Sequence, residues 1–237
     1  MTENQFGNPI LMERLNKIRA QVTALEKEYG RKPGEVAIMA VTKTIPPQIV
    51  NQALGWGITL LGENRVQELQ EKYPFYQKEN CQIHFIGHLQ TNKVKYIVDK
   101  VSMIHSVDSI KLAAEIDKRC REIGKVMDIL VEVNIGKEAS KAGIFPEELE
   151  ELLCQLSSFP NIKVKGLMAI PPKPTESMEN GHYFSQMQEL FIDISSKKLD
   201  NISMSFLSMG MSGDYASAIQ YGSNIIRLGS AIFGQRV

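Results

Sequence analysis

The chain has 237 residues, 43% of them hydrophobic, which is enough for a sizeable core and excludes wholesale disorder. Lysine plus arginine equals aspartate plus glutamate at 27 each. This balance argues against an electrostatically driven nucleic-acid or membrane partner, while leaving room for a small anionic ligand that needs only a few aimed donors. Cys81, Cys120 and Cys154 are odd in number and widely separated, so neither a disulfide framework nor a metal pair follows from them. No basic-then-apolar leader opens the sequence, and no apolar stretch approaches the ~20 residues that span a bilayer. A reduced, cytosolic (cytoplasmic) protein is predicted.

Leu11, Leu15, Ile18, Val22 and Leu25 recur at helical period, which predicts an amphipathic helix over residues 10–29. Gly30 and Pro33-Gly34 stop it. Short apolar runs then alternate with helical segments. Strands are predicted at 36–41, 58–61, 82–86, 103–105, 127–133, 163–168, 203–207 and 224–228. Helices are predicted near 47–54, 64–76, 92–100, 109–123, 146–157, 176–197 and 215–221. This alternation, at this length, fits an α/β chain closing as a single (β/α)8 TIM barrel with an extra N-terminal helix. The second and last strands are short, which keeps a doubly wound open sheet as the alternative. No repeat or linker divides the chain, and the bend Ile170-Pro171-Pro172-Lys173-Pro174 reads as a stiff loop. One domain over residues 1–237 is expected.

A barrel places its chemistry on the loops at the C-terminal ends of its strands. Unusual polar residues collect there: Lys43 after the first strand, Gly62-Glu63-Asn64-Arg65 after the second, Gly87-His88 after the third, Ser106 after the fourth and Asn134 after the fifth. A lysine at such a strand end can bury its stem and hold a partly desolvated, nucleophilic amine at a pocket mouth, as Schiff-base lysines do. It can equally reach solvent along the rim. Ser208-Met-Gly-Met-Ser212-Gly213-Asp214 follows the seventh strand, and Gly229-Ser230 follows the eighth, just before a short helical segment at 231–233. Glycines and hydroxyls in these two loops suit a phosphate, or simply make turns and caps. Asp214 is expected as a helix-cap or first-turn carboxylate, since its charge would repel phosphate. Arg227, inside the apolar run Ile225-Ile226-Arg227-Leu228, needs an acceptor that either a ligand or an ion pair can supply.

Ala40-Val-Thr-Lys43-Thr, Gly62-Glu-Asn-Arg65, His84-Phe-Ile-Gly-His88-Leu-Gln-Thr-Asn92-Lys93 and Gly166-Leu-Met168 occur in order along the chain. They are followed by Leu207-Ser-Met-Gly-Met-Ser-Gly-Asp214 and by Arg227-Leu-Gly-Ser-Ala-Ile-Phe-Gly234. From about residue 10 onward the sequence resembles the YggS/PROSC family of pyridoxal phosphate homeostasis proteins, also called pyridoxal phosphate (PLP)-binding proteins. The resemblance implies a barrel of the alanine racemase N-terminal type that binds pyridoxal 5'-phosphate as an internal aldimine on Lys43. It implies that Ser208, Ser212, Gly229 and Ser230 belong to the phosphate region and that Arg227 faces the pyridine nitrogen. Asn64, His88 and Met168 are implied near the ring. The tract over 173–180 matches no motif, and its role stays open.

The implied function is non-catalytic: a regulator or carrier in vitamin B6 and amino-acid homeostasis. The chain ends soon after Phe233-Gly234, where racemases of this type continue into a second domain, and an arginine opposite the ring nitrogen weakens the cofactor as an electron sink. The adjacent cofactor site and Arg227 are expected to lower the Lys43 pKa. PLP is the implied small-molecule partner, with PLP-dependent apoenzymes as possible acceptors, no nucleic acid or membrane, and a monomeric state. The alternatives are a racemase-like or decarboxylase-like enzyme, or a barrel binding another phosphorylated metabolite.

Overall fold

The computed structural model describes residues 8–172, 180–197 and 199–235. Eight parallel strands close into a barrel in sequence order. They are β1 (Ala37–Val41), β2 (Leu60–Glu63), β3 (Gln82–Phe85), β4 (Met103–Val107), β5 (Met127–Val133), β6 (Ile162–Ala169), β7 (Ile202–Met211) and β8 (Ile225–Leu228). The decisive pairing is β1 with β8, from Ala37 opposite Ile225 to Ala40 opposite Leu228. It rules out an open sheet.

Among the described residues, eight α-helices cover the barrel: α1 (Pro9–Glu28), α2 (Pro47–Gly55), α3 (Val66–Lys72), α4 (Ile110–Glu122), α5 (Leu149–Leu156), α6 (Gly181–Ser196), α7 (Tyr215–Gln220) and α8 (Ser230–Phe233). The extra helix α1 starts at Asn8, whose side chain accepts from the Ile10 and Leu11 N–H groups, with Pro9 in the first turn. It buries Leu11, Leu15, Ile18 and Val22 and packs beside α7 and α8.

Side chains alternate across each strand, and the two faces have different jobs. Ala40, Leu61, Phe85, Ile104, Ile129, Leu167, Leu207 and Ile226 point outward into the main core under the helices. Met39, Val41, Leu60, Ile86 and Ile225 fill one part of the interior, and Met103, Leu130 and Met168 fill another. The barrel is therefore packed inside.

Three elements depart from the sequence expectation. Strand β7 runs on to Met211, so Ser208 lies within the strand and not in the loop after it. Strand β4 likewise takes in Ser106. Between β3 and β4 the connection is a 3₁₀ run, Thr91–Tyr96, that buries only Val94, too little apolar face to hold an α-helix. The first residues of the helix expected at 176–197 fall outside the described residues, as does most of the 173–180 tract.

The turn from α1 into β1 depends on Glu26, which is 2% exposed and accepts from the N–H groups of Gly34 (3.0 Å) and Val36 (2.8 Å). Glu26→Ala would leave the buried Val36 donor without a partner. The expected loss is roughly 1–3 kcal/mol, read as a lower urea midpoint at unchanged slope.

Candidate functional site

Inward parity carries three polar residues to the C-terminal end of the barrel. On β1 the inward positions Met39 and Val41 are followed by Lys43. On β2, Leu60 and Gly62 are followed by Asn64, and on β8, Ile225 is followed by Arg227. These three line a rim cavity of about 290 Å³ together with Ser212, Gly213, Gly229 and Ser230, closed by Val41, Ile86, Ile170 and Met211. Lys43 is half-buried. Asn64 stands close against the loop after β3 because residue 87 is glycine: a Cβ there would sit 2.0 Å from the Asn64 carbonyl oxygen.

The wall formed by the last two loops is tied across the barrel seam, since the Ala231 N–H donates to Ser212 Oγ at 3.1 Å. Asp214 occupies the N-cap position of α7 without capping it. Its carboxylate instead accepts from the Met211 N–H (2.6 Å) and from Asn180 (2.7 Å), which closes the turn that presents Ser212 and Gly213.

Arg227 is 4% exposed, and its hydrogen bonds go to neutral oxygens. Nη1 donates to the Ser208 carbonyl (2.7 Å) and hydroxyl (2.8 Å), and Nη2 donates to the Ala169 carbonyl (2.8 Å). Burial lowers its pKa to about 10, partly offset by Glu132 and Asp214, so it remains a cation at neutral pH.

Behind it runs a buried chain: Ser208 Oγ lies 3.1 Å from His105 Nδ1, and His105 Nε2 lies 2.9 Å from His84 Nδ1. Burial pushes His84 down to about 4 and His105 well below the usual imidazole range, so both rings are neutral. The direction of the chain follows from Arg227, which has donors only. Ser208 Oγ accepts from the guanidinium and turns its proton to His105 Nδ1. His105 then carries its own proton on Nε2 and donates to His84. The reverse order would strand the Ser208 proton in a buried site.

Six of the nine sequence-predicted residues thus share one cavity: Lys43, Asn64, Ser212, Arg227, Gly229 and Ser230. Three stand elsewhere. Ser208 is fully buried and faces the barrel interior, because β7 extends past it. Met168 is packed inside with Met103 and Leu130, and His88 is exposed and off the cavity wall.

Sequence reasoning missed Glu132, a buried carboxylate that its own burial and then Asp108 hold up at about 7, against the pull of Arg227. The signal was present, since Leu130-Val131-Glu132-Val133 sets one charge in an apolar strand. Among the described residues, no group of three or more His, Cys, Asp or Glu side chains is placed to hold a metal ion, and no helix is long and apolar enough to cross a membrane.

Glu132 and His84 pull on stability in opposite directions. Unfolded glutamate titrates near ~4.3, so Glu132 binds its proton first in the fold and adds stability as pH falls from about 7. Unfolded histidine titrates near ~6.5, so His84, at about 4 in the fold, removes stability as pH falls below that value. In Glu132→Gln the first effect is gone. Its unfolding free energy should fall more steeply with acid than the wild type's between pH 6.5 and 5, by up to ~1.4 kcal/mol per pH unit. Parallel urea-derived profiles would show that Glu132 is not proton-coupled to folding.

The alanine racemase N-terminal domain model matches residues 14–237. The pyridoxal phosphate homeostasis protein of Aquifex aeolicus is 40% identical over 224 residues, covering 94% of this chain and 97% of that protein. The protein of the same name from Escherichia coli K12 is 34% identical over 228 residues, covering 94% and 95%. Among solved structures, PipY of Synechococcus elongatus with PLP bound superposes with a TM-score of 0.82 at 31% identity, covering 94% of this chain and all of that one. Alanine racemase of Clostridium difficile 630 shares the fold, with a TM-score of 0.75 at 15% identity, covering 95% of this chain and 56% of that one. With matches of this extent, the chain belongs to the alanine racemase N-terminal domain family and, within it, to the pyridoxal phosphate homeostasis proteins.

Proposed function

We propose that this chain is a single-barrel PLP-binding homeostasis protein that holds the cofactor on Lys43 and does not turn over amino acids. The observation that carries the proposal is the meeting, on one cavity wall, of a half-buried lysine, a buried arginine and the two glycine-serine loops.

The residues present fit the group on two independent counts. Asn64 lines the cavity, and its Oδ1 is buried with no hydrogen-bond partner among the described residues, an acceptor left unmet beside the site. A Cβ added at Gly213 would meet no protein atom within 4 Å, so no neighbouring protein atom excludes a side chain there, and its absence leaves room along the wall. Ser212, Gly213, Gly229 and Ser230 would hold the phosphate, Asn64 a polar ring substituent, and Arg227 the ring nitrogen. When bound, PLP supplies an aldehyde that condenses with a primary amine with loss of water.

Arg227 is compatible with the non-catalytic reading. It is a donor fixed by three hydrogen bonds to Ser208 and Ala169, and it has no basic atom with which to take a proton from the ring nitrogen or return one. The names borne by the curated relatives point the same way. In this role the protein limits free aldehyde, and its partners are PLP itself and the apoenzymes that accept it.

Borohydride treatment after PLP addition, followed by peptide mapping, should place the reduced adduct on Lys43, and Lys43→Ala should lose the visible absorption band. A retained band, or an adduct on another lysine, would overturn the assignment. Holoprotein kept with L-alanine in deuterated buffer should show no enzyme-like exchange of the α-hydrogen. Rapid exchange or accumulation of D-alanine would instead support a racemase-like enzyme.

A further inference from the structure

Thr44, next to Lys43, has a φ of 66°, in the left-handed region that a β-branched side chain rarely enters. It is the third residue of a turn over 42–45, closed by the Ile45 N–H donating to the Thr42 carbonyl at 2.9 Å. That position in such a turn ordinarily takes glycine. Thr44 is exposed, so burial of its side chain does not explain the conformation.

The neighbours of Lys43 are instead gripped from outside the cavity by charged side chains. The Thr44 N–H donates to the Glu68 carboxylate. Lys72 Nζ donates to the Thr42 carbonyl at 2.7 Å and pairs with Glu68 at 2.5 Å. Thr42 Oγ1 donates to Glu63 Oε1 at 2.6 Å, and the Tyr76 hydroxyl donates to the same oxygen. Glu68 and Lys72 stand one helical turn apart on α3, so their ion pair holds the strained turn at two points, the Thr42 carbonyl and the Thr44 N–H, while Lys72 also lies 3.9 Å from Glu63.

We propose that the Glu68–Lys72 pair is the positioning device for Lys43: it keeps the turn over 42–45 in a conformation threonine would not hold unaided, and so sets the direction in which the lysine leaves β1. The inference rests on the assignment of Lys43 as the attachment point. Glu68 and Lys72 line a separate outer cavity of about 420 Å³ with Thr44 and do not border the Lys43 cavity, so their effect on the cofactor passes through the backbone. Backbone strain of this kind concentrates at functional sites, where the surrounding structure must over-determine it.

The test compares PLP with pyridoxine 5'-phosphate, which keeps the ring and phosphate but carries an alcohol in place of the aldehyde. Glu68→Ala should weaken PLP binding roughly tenfold, with slower borohydride trapping on Lys43, while pyridoxine 5'-phosphate stays within about twofold. Glu68→Gln, which keeps an acceptor for the Thr44 N–H, should fall between Glu68→Ala and the wild type. Thr44→Gly should bind PLP normally, and combined with Glu68→Ala it should recover most of the lost affinity, because glycine adopts the left-handed turn without strain. Equal weakening for both ligands, or no recovery in the double variant, would overturn the proposal. An adduct on Lys43 with PLP affinity unchanged in Glu68→Ala overturns the positioning role alone. An adduct elsewhere in the wild type overturns the attachment point as well.

Discussion

The pairing of β8 with β1 is the constraint on which the site depends. With Ala40 opposite Leu228, the residues just beyond each strand end must meet at the rim, and they are Lys43 on one side and Gly229-Ser230 on the other. An open sheet would separate them across its full width. Closure also makes the alternation of side chains meaningful, because one face of every strand now looks into a shared interior. A one-residue slip of β1 would turn Lys43 away from the cavity and bring Thr42 or Thr44 into its place.

The interior is not uniformly apolar. Below the cavity, Arg227, Ser208, His105 and His84 cross the barrel as one hydrogen-bonded file. A buried guanidinium is costly unless its donors are met, and here neutral oxygens meet three of them. Neutral imidazoles extend the network without adding charge, and burial keeps them neutral. The cation at the cavity floor is thereby oriented from behind, while Glu132 and Asp214 balance it electrostatically from the rim. Such networks rigidify a site when every member is satisfied.

Much of this was legible in the sequence. Alternating apolar runs and helical periods predicted about eight strands, and an arginine stood out inside the apolar run 225–228. Where the placement differs from the sequence expectation, the reasons are identifiable. The chain after Leu207 reads as a glycine-serine loop, yet β6 and β8 supply pairing partners that draw it into β7, and Ser208 becomes a support for Arg227. Met168 packs with Met103 and Leu130 in the interior and does not line the cavity. His88 has the right neighbours in sequence, while its side chain faces solvent. The turn at Thr44 was invisible, because no composition rule places a β-branched residue at positive φ. Only the long-range contact to Glu68 accounts for it.

A crystal structure of the chain grown with PLP tests the central claim most directly. Continuous density is expected from Lys43 Nζ to the cofactor, with the phosphate against Ser212, Gly213, Gly229 and Ser230 and the ring nitrogen facing Arg227. Density for the cofactor at another lysine, or a phosphate seated away from those two loops, would contradict it.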